Sequence, residues 1–291
     1  MYDEILLPVD ESTTETAVLY HAAEFANATD ADLTLLYVAD TDVLSLDVLQ
    51  QDVIDALEEF GEEVLEDTEG VLESLGVSPR TDVVQGTPAQ TIVDYAESYD
   101  YDLVVMPTHG RQGLSRALLG SVTEKVVRLS TVPVLTARMR EAEDLVFPYE
   151  RVLVPVDGSD PARHAAQYAL DLASVLDATV HVLSVVNDTH LGMDVGSSAV
   201  EEALQAAAEE TVESIEANAA DAAPDVDVRT HVDRGAPART ILEYVDDLDV
   251  HAVVMGTTGR RSVARVLLGS VAEKTVRTAP VPVVTVPRPD A

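Results

Sequence analysis

Cysteine is absent from this chain of 291 residues. That excludes a disulfide framework, a thiolate metal site and a cysteine nucleophile. Tryptophan is absent too, and all aromatics together make 4% of the residues. Recognition of nucleic-acid bases by stacking therefore has little material. Lysine is nearly missing: Lys125 and Lys274 are the two lysines among 18 basic residues, against 53 Asp and Glu. There is no run of about 18 apolar residues, so no membrane-spanning helix is expected. Met1-Tyr2-Asp3-Glu4-Ile5 is acidic and leads straight into an apolar segment, unlike a signal peptide. A soluble, cytoplasmic protein is the expectation.

What is present in excess is negative charge, −35 in all with a pI near 4.2. Such a surface repels phosphate backbones and anionic lipid heads, which disfavours nucleic-acid and membrane partners. Carboxylates also keep a surface hydrated when salt screens their mutual repulsion. The balance reads either as adaptation to a high-salt cytoplasm, that of a halophile, or as a plainly acidic protein. With 46% hydrophobic residues the chain can still bury a core. Its length fits two domains.

The chain is one unit written twice. Ile5-Leu6-Leu7-Pro8-Val9-Asp10-Glu11-Ser12 matches Val152-Leu153-Val154-Pro155-Val156-Asp157-Gly158-Ser159. Gly86-Thr87-Pro88-Ala89 matches Gly235-Ala236-Pro237-Ala238, Leu118-Leu119-Gly120-Ser121-Val122 matches Leu267-Leu268-Gly269-Ser270-Val271, and Val132-Pro133-Val134 matches Val281-Pro282-Val283. Domains are expected at 1–138 and 150–291, with a charged linker at 139–149. In each copy short apolar runs alternate with helical patterns. In the first copy strands are expected at 4–9, 33–38, 81–84, 103–106 and 132–136, and helices at 13–28 (capped by Ser12), 48–75, 88–98 and 116–129. Apolar strands separated by helices imply parallel sheets covered on both faces. The fold class is α/β, doubly wound and Rossmann-like, with a five-stranded parallel sheet in each of two tandem domains.

Ligands of such sheets bind beyond the carboxyl ends of the strands, where strand order reverses. After the first strand stands Pro8-Val9-Asp10, and in copy two Pro155-Val156-Asp157. The Asp is either an acceptor for a sugar hydroxyl or an amino group, or a helix cap. After the fourth strand, copy two reads Met255-Gly256-Thr257-Thr258-Gly259, then nine residues, then Gly269-Ser270-Val271. Amides and a hydroxyl at a helix start can hold an anionic oxygen; the alternative is a glycine-bearing turn followed by close packing. The windows 107–134 and 256–283 hold nine of the 18 basic residues and two acids, Glu124 and Glu273. Either they focus a small anion or they pair with the acidic surface.

At these residues the chain resembles the universal stress protein family. The family motif is Gly, two residues, Gly, nine residues, Gly, then Ser or Thr. Copy two matches at Gly256, Gly259, Gly269 and Ser270; copy one matches at Gly110, Gly120 and Ser121, with Pro107 in place of the first Gly. The resemblance covers nearly the whole chain and implies ATP as ligand, with Mg bound only through it. It implies nucleoside contacts at Pro8, Val9 and Asp10, and at Pro155, Val156 and Asp157, with Val38 or Val185 on the adenine. It implies phosphate contacts at Gly120, Ser121, Val122 and Thr123, and at Gly269, Ser270, Val271 and Ala272, with Gly110, Gly259, Met255 and Gly256 in the approaching loop. Copy two is expected to be the more competent site. The family also implies pairing through the last strands, as an intramolecular pseudo-dimer or a homodimer.

Other chemistry finds little support. The histidines do not lie with acids at metal-ligand spacing. There is no Gly-x-Ser-x-Gly elbow and no Walker lysine loop. Tyr37, Tyr95 and Tyr244 read as core or edge packing. Three functions stay open: a nucleotide-binding stress protein, non-catalytic or a slow ATPase; an ATP-using enzyme, whose usual Ser-Gly-Gly-x-Asp-Ser loop is missing here; and a nucleotide-free scaffold.

Overall fold

Among the described residues of the first half of the chain, strands and helices alternate: β1 (Glu4–Val9), α1 (Ala17–Thr29), β2 (Asp32–Asp40), α2 (Gln51–Ser74), β3 (Arg80–Gly86), α3 (Pro88–Ser98), β4 (Leu103–Pro107), α4 (Ser121–Leu129) and β5 (Val134–Ala137). The second half repeats them as β6 (Arg151–Val156), α5 (Asp160–Leu176), β7 (Thr179–Val186), α6 (Ser198–Ala222), β8 (Val228–Arg234), α7 (Pro237–Asp247), β9 (Ala252–Gly256), α8 (Ser270–Thr278) and β10 (Val283–Val286). The computed structural model describes residues 2–13, 17–41, 51–108, 119–138, 145–187, 198–257 and 268–288. The chain divides into two units, Met1–Pro148 and Tyr149–Ala291.

Within the first unit the strand order is β3-β2-β1-β4-β5, and within the second β8-β7-β6-β9-β10. Every pairing inside a unit is parallel. The order reverses between β1 and β4, and between β6 and β9. Ile5, Leu6 and Leu7 are fully buried, as are Val152, Leu153 and Val154. That is why these strands read as unbroken apolar runs rather than alternating ones.

A proline decides where the central pairing ends. Asp32 N donates to Asp3 O, whereas Asp102 N donates to Glu4 O. Backbone groups alternate sides along a strand, so Glu4, Leu6 and Pro8 turn theirs toward β4. Pro8 has no N–H to give. The β1–β4 register stops at Leu6 opposite Val104. Arg151 O likewise accepts from His251 N, which turns Pro155 toward β9, and that register stops at Leu153 opposite Val253. Beyond these residues the two middle strands part.

Glycines serve two separate needs. Gly86 and Gly235 hold φ of +151° and +149°, a region that other residues rarely adopt. Each precedes the Pro at the first turn of α3 or α7, and a Cβ there would meet Thr91 or Thr240. Gly256 instead gives space: a Cβ would lie 2.9 Å from the Pro161 carbonyl oxygen at the start of α5. In the first unit Pro107 stands at this position.

The expected strands and α3 agree with the structure to within a few residues. The helix expected from 13 starts at Ala17 in the described chain, with 14–16 outside the described residues. The helix expected from 116 starts at Ser121, and 116–118 lie outside as well. The end of the expected linker is packed: the Phe147 ring lies 5.4 Å from His21 and 5.7 Å from Phe25 on α1. Among the described residues no helix is long and apolar enough to cross a membrane.

Two buried histidines make the fold acid-sensitive. Burial lowers His21 to about 4. His181 on β7 is 3% exposed and also lowered to about 4, by burial first and then by the charges of His231 and Arg229. A folded-state value below the unfolded one means the unfolded chain binds more protons between them. The stabilisation is therefore complete above about pH 6.5 and is lost as pH falls toward 4. Urea unfolding at stepped pH should show that decline, and His181→Gln should flatten part of it relative to the native chain. Gly256→Val should cost about 1–3 kcal/mol in the same assay at pH 7, because the Pro161 backbone must move.

Candidate functional site

The parting of β1 from β4, and of β6 from β9, opens a crevice at the carboxyl end of each sheet. The residue at its lip is an Asp. Asp10 Oδ1 accepts from Ser12 N at 2.9 Å, from the Ser12 hydroxyl and from the Thr13 hydroxyl at 3.0 Å. Thr13 N donates to Asp10 O at 2.9 Å, and Asp10 N donates to Thr13 Oγ1. All three side-chain bonds fall on Oδ1; Oδ2 takes none of them. The Ser12 hydroxyl donates to Asp10 here, and the amides that the cap expected of Ser12 would meet, at 14–16, lie outside the described residues.

The second unit builds this turn differently. Asp157 Oδ1 accepts from Ser159 N at 3.0 Å. Ser159 then caps α5, its hydroxyl oxygen accepting from Ala162 N at 3.4 Å. Capping thus belongs to the serine, and Asp157 shapes the turn. Asp157 is exposed and Asp10 half-buried.

The two helix starts after the fourth strands share one geometry. Gly120 is the N-cap of α4 at φ −60°, ψ 142°, and Gly269 that of α8 at φ −64°, ψ 142°; neither has a side-chain cap. Gly120 N donates to Thr108 O at 2.8 Å, and Gly269 N to Thr257 O at 2.7 Å. These bonds tie each helix start to the end of β4 or β9, beside the crevice. The first amides of a helix have no partner within it. Here those are the amides of Ser121, Val122 and Thr123, and of Ser270, Val271 and Ala272. Ser121 and Ser270 are exposed, Val122 and Val271 half-buried. Glu124 N donates to Gly120 O, and Glu273 N to Gly269 O, both at 2.8 Å, which closes the first turn.

Other residues singled out in the sequence fall less simply. The Thr123 hydroxyl is buried and donates to Pro107 O at 2.8 Å, so it serves β4 and not an incoming anion. Ala272, its counterpart, lacks that bond. Val38 and Val185 are half-buried late in β2 and β7, while Pro8, Val9, Val156 and Met255 are buried and Pro155 is half-buried. Gly110 and Gly259 lie outside the described residues, as do Arg111, Arg116, Arg260, Arg261 and Arg265. Of the described bases, Arg128 and Arg277 sit in the last turn of α4 and α8, away from the helix start. Arg277 pairs with Glu273 at 3.0 Å. Burial, with Asp10 and Asp40 nearby, pushes the Tyr37 phenol up.

The sequence did not point to Thr13 as the clasp on Asp10, nor to Thr108 and Thr257 as anchors of the helix starts. A hydroxyl three residues after the Asp was the available signal for the clasp. The anchors act through backbone groups and leave none. Chemically, the carboxyl ends of two adjacent strands carry, in each unit, a carboxylate after the first strand and a helix start after the fourth. Among the described residues no group of three His, Asp or Glu side chains is placed to hold a metal ion.

Comparison with known proteins agrees with this architecture. The model of the universal stress protein family matches the chain twice, over residues 1–138 and 148–287. A universal stress protein of Mycolicibacterium smegmatis is 29% identical over 295 residues, 97% of this chain and 96% of its own length. A shorter one from Methanocaldococcus jannaschii is 34% identical over 146 residues, 49% of this chain and 86% of its own. The crystal structure of a universal stress protein from Archaeoglobus fulgidus superposes with a TM-score of 0.70 at 26% identity, over 99% of this chain and 97% of that one. The chain belongs to the universal stress protein family, as two tandem copies of its domain.

Proposed function

We propose that this chain binds ATP in the crevices between β1 and β4 and between β6 and β9, and that it acts by changing conformation or partner when the ligand binds. The observation that carries this reading is the uncapped helix start at Gly120 and Gly269, hydrogen-bonded to the strand that lines the crevice. Open amides at the positive end of a helix favour a phosphate. In this reading Asp10 and Asp157 accept from the nucleoside, and Val38 and Val185 pack on the base. Mg accompanies the phosphates and needs no protein ligand. The chain is non-catalytic or turns ATP over slowly, since it has no Walker lysine loop. An ATP-using enzyme is the weaker alternative because the loops after β1 and β6 lack the activating Ser-Gly-Gly pattern.

The second domain is the stronger site in this reading. It keeps the full glycine motif, whereas the first has Pro107 in place of the first glycine. That difference favours, for the first domain, the runner-up role of a nucleotide-free scaffold. Pairing of the closing strands, within the chain or between two chains, belongs to the same reading and rests on their apolar sequence. The acidic composition supports work in a high-salt cytoplasm.

The test is to purify the full chain in high salt, release any bound nucleotide with acid, and titrate ATP-Mg. Asp157→Ala should weaken binding about tenfold or more, the scale of a hydrogen bond to a charged group. Asp10→Ala should have the smaller effect. No released nucleotide and no binding would leave the scaffold; equal affinity in Asp157→Ala would refute the residue assignment.

A further inference from the structure

A pocket of about 350 Å³ lies at the other end of the first sheet, where β1, β2 and β3 begin and α3 ends. It is remote in the fold from the crevice and has no part in the nucleotide reading. Its wall is aromatic. The Tyr95 ring centre lies 4.6 Å from that of Tyr99 and 5.8 Å from that of Tyr101. The Tyr95 hydroxyl donates to Asp82 Oδ2 at 2.9 Å, which fixes the ring, and burial together with this bond keeps the phenol protonated. Tyr99 is 62% exposed, a large ring face left open at the rim.

The floor carries charge and an unused hydroxyl. Arg80 binds Glu4 at 2.8 and 3.0 Å and also pairs with Asp32. Among the lining residues Glu4 and Asp82 outweigh the one guanidinium, which leaves a net negative site. Thr34 on β2 also lines the pocket; it is 3% exposed and its Oγ1 has no hydrogen-bond partner.

The second domain provides an internal control, because the same fold fills the same positions with other chemistry. The strand registers equate Glu4 with Arg151, Thr34 with His181 and Asp82 with His231. Of the tyrosines, Tyr95 is kept as Tyr244, while Leu248 and Val250 replace Tyr99 and Tyr101. There His181 and His231 stack with ring centres 5.3 Å apart and Tyr244 packs edge-on against His231. The fold therefore requires neither the tyrosine wall nor the carboxylates.

We propose that this pocket in the first domain binds a small organic cation, a primary or secondary alkylammonium, with its alkyl body on Tyr99 and Tyr101 and its N–H groups directed to Asp82. The face of a tyrosine attracts a cation within about 6 Å. The volume lies at the small end of the usual range for ligand pockets. The field of a chain at −35 raises the local concentration of such a guest.

The probe is n-butylammonium chloride, titrated into the full chain at constant ionic strength, with n-butanol as neutral control. Chain with ring-labelled tyrosine allows its nine tyrosines to be followed separately by NMR. Saturable shifts at Tyr95, Tyr99 and Tyr101, with a dissociation constant in the millimolar range or tighter, are expected; n-butanol should not reproduce them. Tyr99→Leu introduces the second domain's residue at an exposed position and should weaken binding about threefold to tenfold. Asp82→Asn keeps an acceptor for Tyr95 and should weaken it at least as much. Shifts that never saturate, or that spread over all tyrosines, would mean a diffuse counterion atmosphere and overturn the proposal. Equal response to n-butanol, or unchanged affinity in both variants, would overturn it too.

Discussion

At each switch point of strand order one backbone donor is missing. A proline in the middle of a central strand ought to damage a sheet. Pro8 and Pro155 stand at the one place where it does not, because β1 and β6 have finished pairing with β4 and β9 by then. Their other sides still pair, Pro8 opposite Leu36 and Pro155 opposite Leu183. So the strand remains anchored on one flank and is released on the other. The Asp two residues on is thereby carried to the lip of an open cleft, and the helix start after the neighbouring strand is exposed across it.

Much of this was legible. Unbroken apolar runs gave the strands because both faces of a parallel sheet are covered, and the α3 boundaries followed from a Gly-x-Pro start whose glycine the structure finds at positive φ. The Gly-Ser positions fell where helices begin. What the sequence could not say was which partner each polar group takes. Thr123 carries a hydroxyl beside the Gly-Ser of the family motif, yet its hydroxyl holds a strand carbonyl. Gly256 reads as a residue for close ligand approach, yet a helix backbone occupies the space that its missing Cβ leaves. Tyr95 reads as packing, which is half right: it packs, and with Tyr99 and Tyr101 it also walls a pocket. These choices depend on neighbours distant in the chain, and local pattern does not encode them.

Duplication separates constraint from freedom. Where the two units agree, as in the proline, the Asp two residues after it and the glycine cap, the fold requires it. Where they differ, each has been free to specialise. At the amino ends of the sheets one unit has tyrosines and carboxylates and the other a stacked histidine pair. At the cleft the differences are smaller: a proline for a glycine and an alanine for a threonine.

One residue links the helix start to the closing strand. The carbonyl of Thr108 holds the amide of Gly120, and its own N–H is held by the carbonyl of Ala137, each at 2.8 Å. Thr257 stands in the same way between Gly269 and Val286. Two rigid peptide planes meet at each threonine Cα, one bonded to the closing strand and the other to the helix start. The helix start and the closing strand are thereby joined through backbone alone, with no side chain involved.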